Sequence, residues 1–136
     1  MRVSELMQTA VFTAMPEPTV EEAIRLMADT HVSSLPVVDA HRRIRGVISS
    51  SDVLEAEAEA TDTEALGVLT SCGTVQEIMT PRAVTIGPEA TVQEAARLML
   101  YADVHRLYVV EDDRLVGVVS TTDVVRMVAT GRTMTG

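Results

Sequence analysis

Two short stretches carry the side chains best suited to chemistry: Ser49-Ser50-Ser51-Asp52 and Ser120-Thr121-Thr122-Asp123. Each follows a run of β-branched residues and precedes a helix-period pattern, so each falls where a strand gives way to a helix. Two roles fit that position. One is local: a hydroxyl caps the helix start and an acidic residue sits in the first turn. The other turns the same geometry outward. A carboxylate at the mouth of an apolar cleft accepts hydrogen bonds from both hydroxyls of a ribose. The neighbouring serine and the free helix amides then hold an adjacent phosphate. Local sequence alone leaves both roles open.

A second pair, His105-Arg106, has the chemistry of an anion contact. The arginine fork suits phosphate, and histidine adds a further donor or positive charge. The plainer role is a solvated pair on a strand edge. The corresponding earlier residues are Ser33-Ser34, which can donate hydrogen bonds but cannot neutralise charge.

These residues recur because the chain is one unit written twice, with an offset of about 72 residues. Val3-Ser4-Glu5-Leu6-Met7 answers Val75-Gln76-Glu77-Ile78-Met79, and Pro16-Glu17-Pro18-Thr19-Val20 answers Pro88-Glu89-Ala90-Thr91-Val92. Val32 to Val38 answers Val104 to Val110, and Gly46-Val47-Ile48 answers Gly117-Val118-Val119. One extra residue in the turn from Asp39 to Arg43 lowers the offset to about 71, an insertion that a surface turn tolerates. Within each copy the pattern predicts strand, helix, strand, strand, helix. In the first copy these are an extended segment near Val11 to Ala14, a helix from a Thr19/Glu22 capping box with Val20, Ala23, Ile24 and Met27 on one face, a hairpin through Val37-Val38 and Val47-Ile48, and a helix from about Asp52 towards Ala60. In the second copy they fall at Ala83 to Ile86, Thr91 to Ala102, Leu107 to Val110, Leu115 to Ser120 and Asp123 to Thr130. The expected division is a first repeat over 1–60, a linker over 61–73 and a second repeat over 74–132.

Composition narrows the function classes. The 136 residues are 46% hydrophobic, enough for a core built from Val, Ile, Leu, Met and Ala. A formal charge of −9 argues against nucleic acid as a partner, since phosphate backbones are bound by clustered cations. Cys72 is the single cysteine, so neither an intrachain disulfide nor a thiolate metal cluster is expected. His31, His41 and His105 lack ligand spacing, and no Gly-rich phosphate loop is present. Neither a signal-peptide core nor an apolar run of membrane-spanning length is found, which leads to the expectation of a cytoplasmic protein with no membrane contact. No catalytic constellation emerges, and an enzyme is not expected.

The duplicated order of xLPVVD or HRLxVVx ahead of Gly-hydrophobic-hydrophobic-Ser/Thr-x-x-Asp resembles the CBS domain pair, or Bateman module, over roughly residues 2 to 131. The resemblance implies an α/β (α+β) fold of two β-α-β-β-α repeats packed sheet to sheet with pseudo-two-fold symmetry. It implies a regulatory sensor for AMP, ADP or ATP, with the ligand in clefts between the repeats. Asp52 and Asp123 match the ribose-binding Asp, with Ser49 and Ser120 matching the Ser/Thr before it. One implied site combines Ser49 and Asp52 with Thr80, Val84, Val104, His105 and Arg106. The other combines Ser120 and Asp123 with Phe12, Val32, Ser33 and Ser34. Thr80 lies in Met79-Thr80-Pro81, the usual family opening, where the first repeat has Met7-Gln8-Thr9. The two sites are therefore expected to differ. The resemblance also implies a homodimer formed through helices of both repeats, around Leu54 and Met127, and a separate regulated protein. Two other readings stand beside this one: a ligand-free structural or dimerisation module, and an S-adenosylmethionine sensor.

Overall fold

The computed structural model describes residues 1–59 and 73–131. The expected linker over 61–73 therefore lies outside the described residues except for Gly73, as does Cys72. The elements are α1 (Val3–Leu6), α2 (Val20–Thr30), β1 (Ser34–Val38), β2 (Ile44–Ser49), α3 (Ser50–Glu59), α4 (Val75–Ile78), β3 (Thr85–Ile86), α5 (Val92–Ala102), β4 (Arg106–Glu111), β5 (Arg114–Ser120) and α6 (Thr121–Ala129). The fold is mixed α/β, as its sequence pattern predicts.

Local signals account for the helices. Thr19 Oγ1 accepts from the Glu22 amide at 3.3 Å and starts α2, whose buried face is Val20, Ala23 and Met27. Thr91 plays the same part for α5, and here the Thr91 amide donates in return to the Glu94 carboxylate at 3.2 Å, completing the capping box. Both helices stop on a residue in the left-handed region, His31 (φ 58°) and Asp103 (φ 55°), a common way of closing the last turn.

The hairpins β1–β2 and β4–β5 are antiparallel, with Leu35 opposite Ile48 and Leu107 opposite Val119. All four of those side chains are buried. The longer first turn is held by Asp39, whose Oδ1 accepts from the backbone amides of His41 (2.8 Å) and Arg43 (3.0 Å). The repeats differ at their first strand. β3 runs parallel to β4, with Thr85 opposite Tyr108 and Ile86 opposite Val109, and the Tyr108 amide donates to the Val84 carbonyl. The extended segment expected near Val11 to Ala14 reduces to a single bridge between Ala14 and Val37. Pro36 supplies the physical reason: it occupies the place of Tyr108 but has no N–H to donate, so the ladder cannot continue.

The compact units do not follow the boundaries of the duplication. One comprises residues 12–83, the other residues 1–11 with 84–136. The duplicated helical turns α1 and α4 have changed places. Val75 is buried in a cluster with Ala14, Ala23, Met27, Leu35, Val37 and Ile48. Val3 is buried with Ala95, Met99, Leu107, Val109 and Val119. Backbone bonds fix the exchange on both sides. The Val75 amide donates to the Pro18 carbonyl (2.9 Å) and the Val20 amide to that of Gly73 (2.8 Å), whereas the Val3 amide donates to Ala90 (2.8 Å) and the Val92 amide to Met1 (2.9 Å). A division at 1–60 and 74–132 thus describes how the sequence is repeated. Each repeat is completed in space by the opening residues of the other.

Candidate ribose-binding site

Ser49 ends β2 and Asp52 lies in the first turn of α3. The Ser49 amide and Oγ both donate to Asp52 Oδ2, at 2.8 and 3.0 Å, and the Asp52 amide donates back to Ser49 Oγ at 3.2 Å. This reciprocal cap fixes the carboxylate rotamer and leaves Oδ1 directed away from the cap. Thr80 Oγ1 donates to that oxygen at 3.1 Å. Thr80 arrives there because its backbone pairs with Val47 in both directions, at 2.8 and 2.9 Å, just beyond α4.

The second repeat rebuilds the same geometry in the other unit. The Ser120 amide and Oγ donate to Asp123 Oδ2 at 2.9 and 3.0 Å, and the Asp123 amide donates to Ser120 Oγ at 3.2 Å. Gln8 stands in the place of Thr80: its Nε2 donates to Asp123 Oδ1 at 3.2 Å, and its backbone pairs with Val118. Asp123 is 6% exposed, and Arg126 Nη1 lies 3.9 Å from its Oδ1. A cavity of about 210 Å³ opens beside it, walled by Glu5, Gln8, Arg126 and Thr130 among others.

The remaining expected residues are placed by the hairpins. Ser34 is opposite Ser49, and the Ser50 amide donates to the Ser33 carbonyl at 2.9 Å. Arg106 is opposite Ser120, and the Thr121 amide donates to the His105 carbonyl at 2.9 Å. Val32 packs against the core of one unit, and Val84 and Val104 against that of the other. Phe12 is 52% exposed and not part of either core cluster. The structure therefore joins Ser49, Asp52 and Thr80 in one unit, together with Phe12, Val32, Ser33 and Ser34. Ser120, Asp123, Val84, Val104, His105 and Arg106 belong to the other.

Three features of the site were not anticipated. Gly46 and Gly117 appear in the sequence only as the first letters of the second hairpin strand. A Cβ at Gly46 would stand 2.3 Å from the Thr80 carbonyl oxygen, and one at Gly117 would stand 2.9 Å from that of Gln8. These glycines admit the exchanged segments that carry Thr80 and Gln8 to the carboxylates. Their recurrence at equivalent positions was the available signal. The third feature is Arg126, placed beside Asp123 by the helical i, i+3 spacing. Among the described residues no group of three or more His, Cys, Asp or Glu could hold a metal ion, and no helix is long and apolar enough to cross a membrane.

The CBS domain family model matches this chain twice, over residues 3–59 and 75–130, and the chain belongs to that family. Inosine-5'-monophosphate dehydrogenase of Korarchaeum cryptofilum (strain OPF8) is 37% identical over 115 residues, covering 84% of this chain. The chain spans only 21% of that enzyme's length. CBSX2, solved in complex with AMP, superposes with a TM-score of 0.80 at 29% identity, over 95% of this chain and 96% of CBSX2. The CBS domain pair of protein MJ0100, solved with 5'-methylthioadenosine and S-adenosyl-L-methionine, gives a TM-score of 0.80 at 26% identity, over 97% and 98% of the two chains.

Proposed function

We propose that this chain is a regulatory module that binds AMP, ADP or ATP and passes the bound state to a separate protein or to its own homodimer, within the cytoplasm, and that it catalyses no reaction. The observation that carries this reading is the Asp52 carboxylate, locked by Ser49 on Oδ2 and offered through Oδ1 beside the exposed Thr80 hydroxyl. A carboxylate so fixed has lost its rotamer freedom before a ribose arrives, which lowers the entropic cost of holding a diol. The AMP complex of CBSX2 supports adenine nucleotide as the ligand class. The methylthioadenosine and S-adenosyl-L-methionine complex of MJ0100 supports a second reading, in which the same ribose contact serves a sulfonium nucleoside. Arg106 favours a phosphate-bearing ligand over that one, because a guanidinium matches phosphate and repels a sulfonium.

The test is thermal melting of the parent and of Asp52→Asn, each with and without millimolar AMP, ATP or S-adenosylmethionine. An amide keeps an acceptor for the Ser49 donors, and the Thr80 hydroxyl can turn to accept from its NH2, so Asp52→Asn is expected to melt close to the parent without ligand. The parent is expected to melt higher with AMP or ATP, because a ligand of the folded state stabilises it by mass action, and Asp52→Asn is expected to lose most of that rise. A parent that shifts with no adenine compound leaves a structural dimerisation module as the surviving reading. A shift with S-adenosylmethionine alone selects the second ligand class.

A further inference from the structure

Thr80 and Gln8 hold corresponding places, each donating to Oδ1 of the carboxylate in its own unit, but they are chemically different partners. A threonine hydroxyl both donates and accepts, so it can turn and share Asp52 with an incoming hydroxyl; the Gln8 Nε2 only donates. The Thr80–Asp52 bond is exposed, whereas the Gln8–Asp123 bond is half-buried under a longer side chain. The far side of Oδ1 differs as well. Arg126 Nη1 stands 3.9 Å from Asp123 Oδ1, and the corresponding position in the first repeat is Glu55, which brings no positive charge to Asp52. A carboxylate accepts about four hydrogen bonds. Each carboxylate takes two from its serine and one from Thr80 or Gln8, and Asp123 alone has in addition a guanidinium, that of Arg126, adjacent.

We infer that Gln8 is a specificity-determining residue that closes Asp123 to a ribose diol, so that Asp52 alone of the two matched carboxylates reads a ribonucleoside. The inference rests on the nucleotide-sensing reading above. It adds that the duplicated site has been divided into one ligand-reading carboxylate with an exposed hydroxyl partner and one carboxylate covered by an amide donor. Arg126 adds a positive charge 3.9 Å from the same oxygen, whereas Gln8 is the side chain that hydrogen-bonds Oδ1, so its removal is what uncovers that oxygen.

The experiment is calorimetric titration of AMP into the parent, Gln8→Thr, Gln8→Ala and Gln8→Thr combined with Asp52→Asn, with circular dichroism confirming that each is folded. The parent is expected to bind one AMP per chain, Gln8→Thr two, and the double variant one. The new site is expected to bind at least about tenfold more tightly than any residual site of the parent, the change made by freeing one hydrogen bond to a charged group. Gln8→Ala removes the donor without supplying a new one and keeps the test decisive if Gln8→Thr does not fold. Two AMP per chain in the parent, or one AMP in both Gln8 variants, overturns the inference. If the parent binds no AMP, the Asp52 reading fails by itself. A single site gained on Gln8 substitution then still upholds the closure by Gln8, and its absence overturns that too.

Discussion

Gly46 lies directly beneath the Thr80 carbonyl: a methyl group built on its α-carbon would sit 2.3 Å from that oxygen. The contact ties the position of the Thr80 hydroxyl, 3.1 Å from Asp52 Oδ1, to the absence of a side chain on the neighbouring strand. Gly117 stands in the same relation to the second repeat, where the nearest atoms are the Met7 sulfur at 2.7 Å and the Gln8 carbonyl oxygen at 2.9 Å. Packing and the placement of the two carboxylate partners, Thr80 and Gln8, therefore meet at the same two glycines.

Substitution at these positions is expected to destabilise by different amounts. Gly46→Ala drives a methyl into a backbone oxygen that accepts from the Val47 amide, in a residue whose own amide donates back to Val47, and should cost about 1 to 3 kcal/mol, the range for overpacking. Gly117→Ala first meets a flexible methionine and should cost less. Urea unfolding of both variants checks this through a lower midpoint at unchanged slope. Equal midpoints for Gly46→Ala and the parent would show that the exchanged segment is not seated as described.

Arg106→Ala is expected to weaken AMP or ATP binding by about 1.5 to 3 kcal/mol, the worth of hydrogen bonds to a charged group. Adenosine affinity should change far less, and the parent's preference for AMP over adenosine should shrink as salt rises. Titration with the two ligands at two ionic strengths measures both effects. An AMP-to-adenosine ratio unaffected by the substitution removes Arg106 from the phosphate contact.

The proposed homodimer concerns the outer faces of α3 and α6. In the expected region around Met127, that side chain itself is 1% exposed. Its neighbours Val125 and Val128 are exposed, as is Leu54 on α3. Val125→Arg combined with Val128→Arg should sediment as a monomer under conditions where the parent sediments as a dimer, because a charge buried without a partner opposes association. A parent that is monomeric at micromolar concentration ends the proposal.

Much of this was legible in the sequence, for physical reasons that can be named. Hydrophobic period and capping residues are local properties, so α2, α5 and both hairpins lie where Thr19, Thr91 and the paired Val runs predict them. The Ser-x-x-Asp caps were legible for the same reason. What escaped depends on residues far apart in the chain. The exchange of α1 and α4 leaves no local trace, since Val3 and Val75 read alike wherever they are buried. Pro36 lies in β1 just ahead of the Val37-Val38 run from which the hairpin was read, and its missing N–H acts on Phe12 to Ala14 rather than on its own hairpin. Gln8 was noted as a departure from Thr80, yet its bond to Asp123 spans 115 positions of sequence and needed the fold to reveal it.

The interleaving of residues 1–11 with 84–131 has a consequence for the order of events on the ribosome. Residues 12–83 form one uninterrupted stretch, so their unit can close as soon as Thr80 has emerged to meet Val47. Residues 1–11 must wait longer than the stretch that follows them: Val3 needs Ala90, and Gln8 needs Val118. Closing so long a loop carries an entropic penalty that the consecutive unit avoids, and contacts of large sequence separation form slowly. A nascent chain stalled before Val84 would thus carry one finished unit preceded by an apolar arm with Val3 and Leu6 unburied, and that arm is what a chaperone would meet.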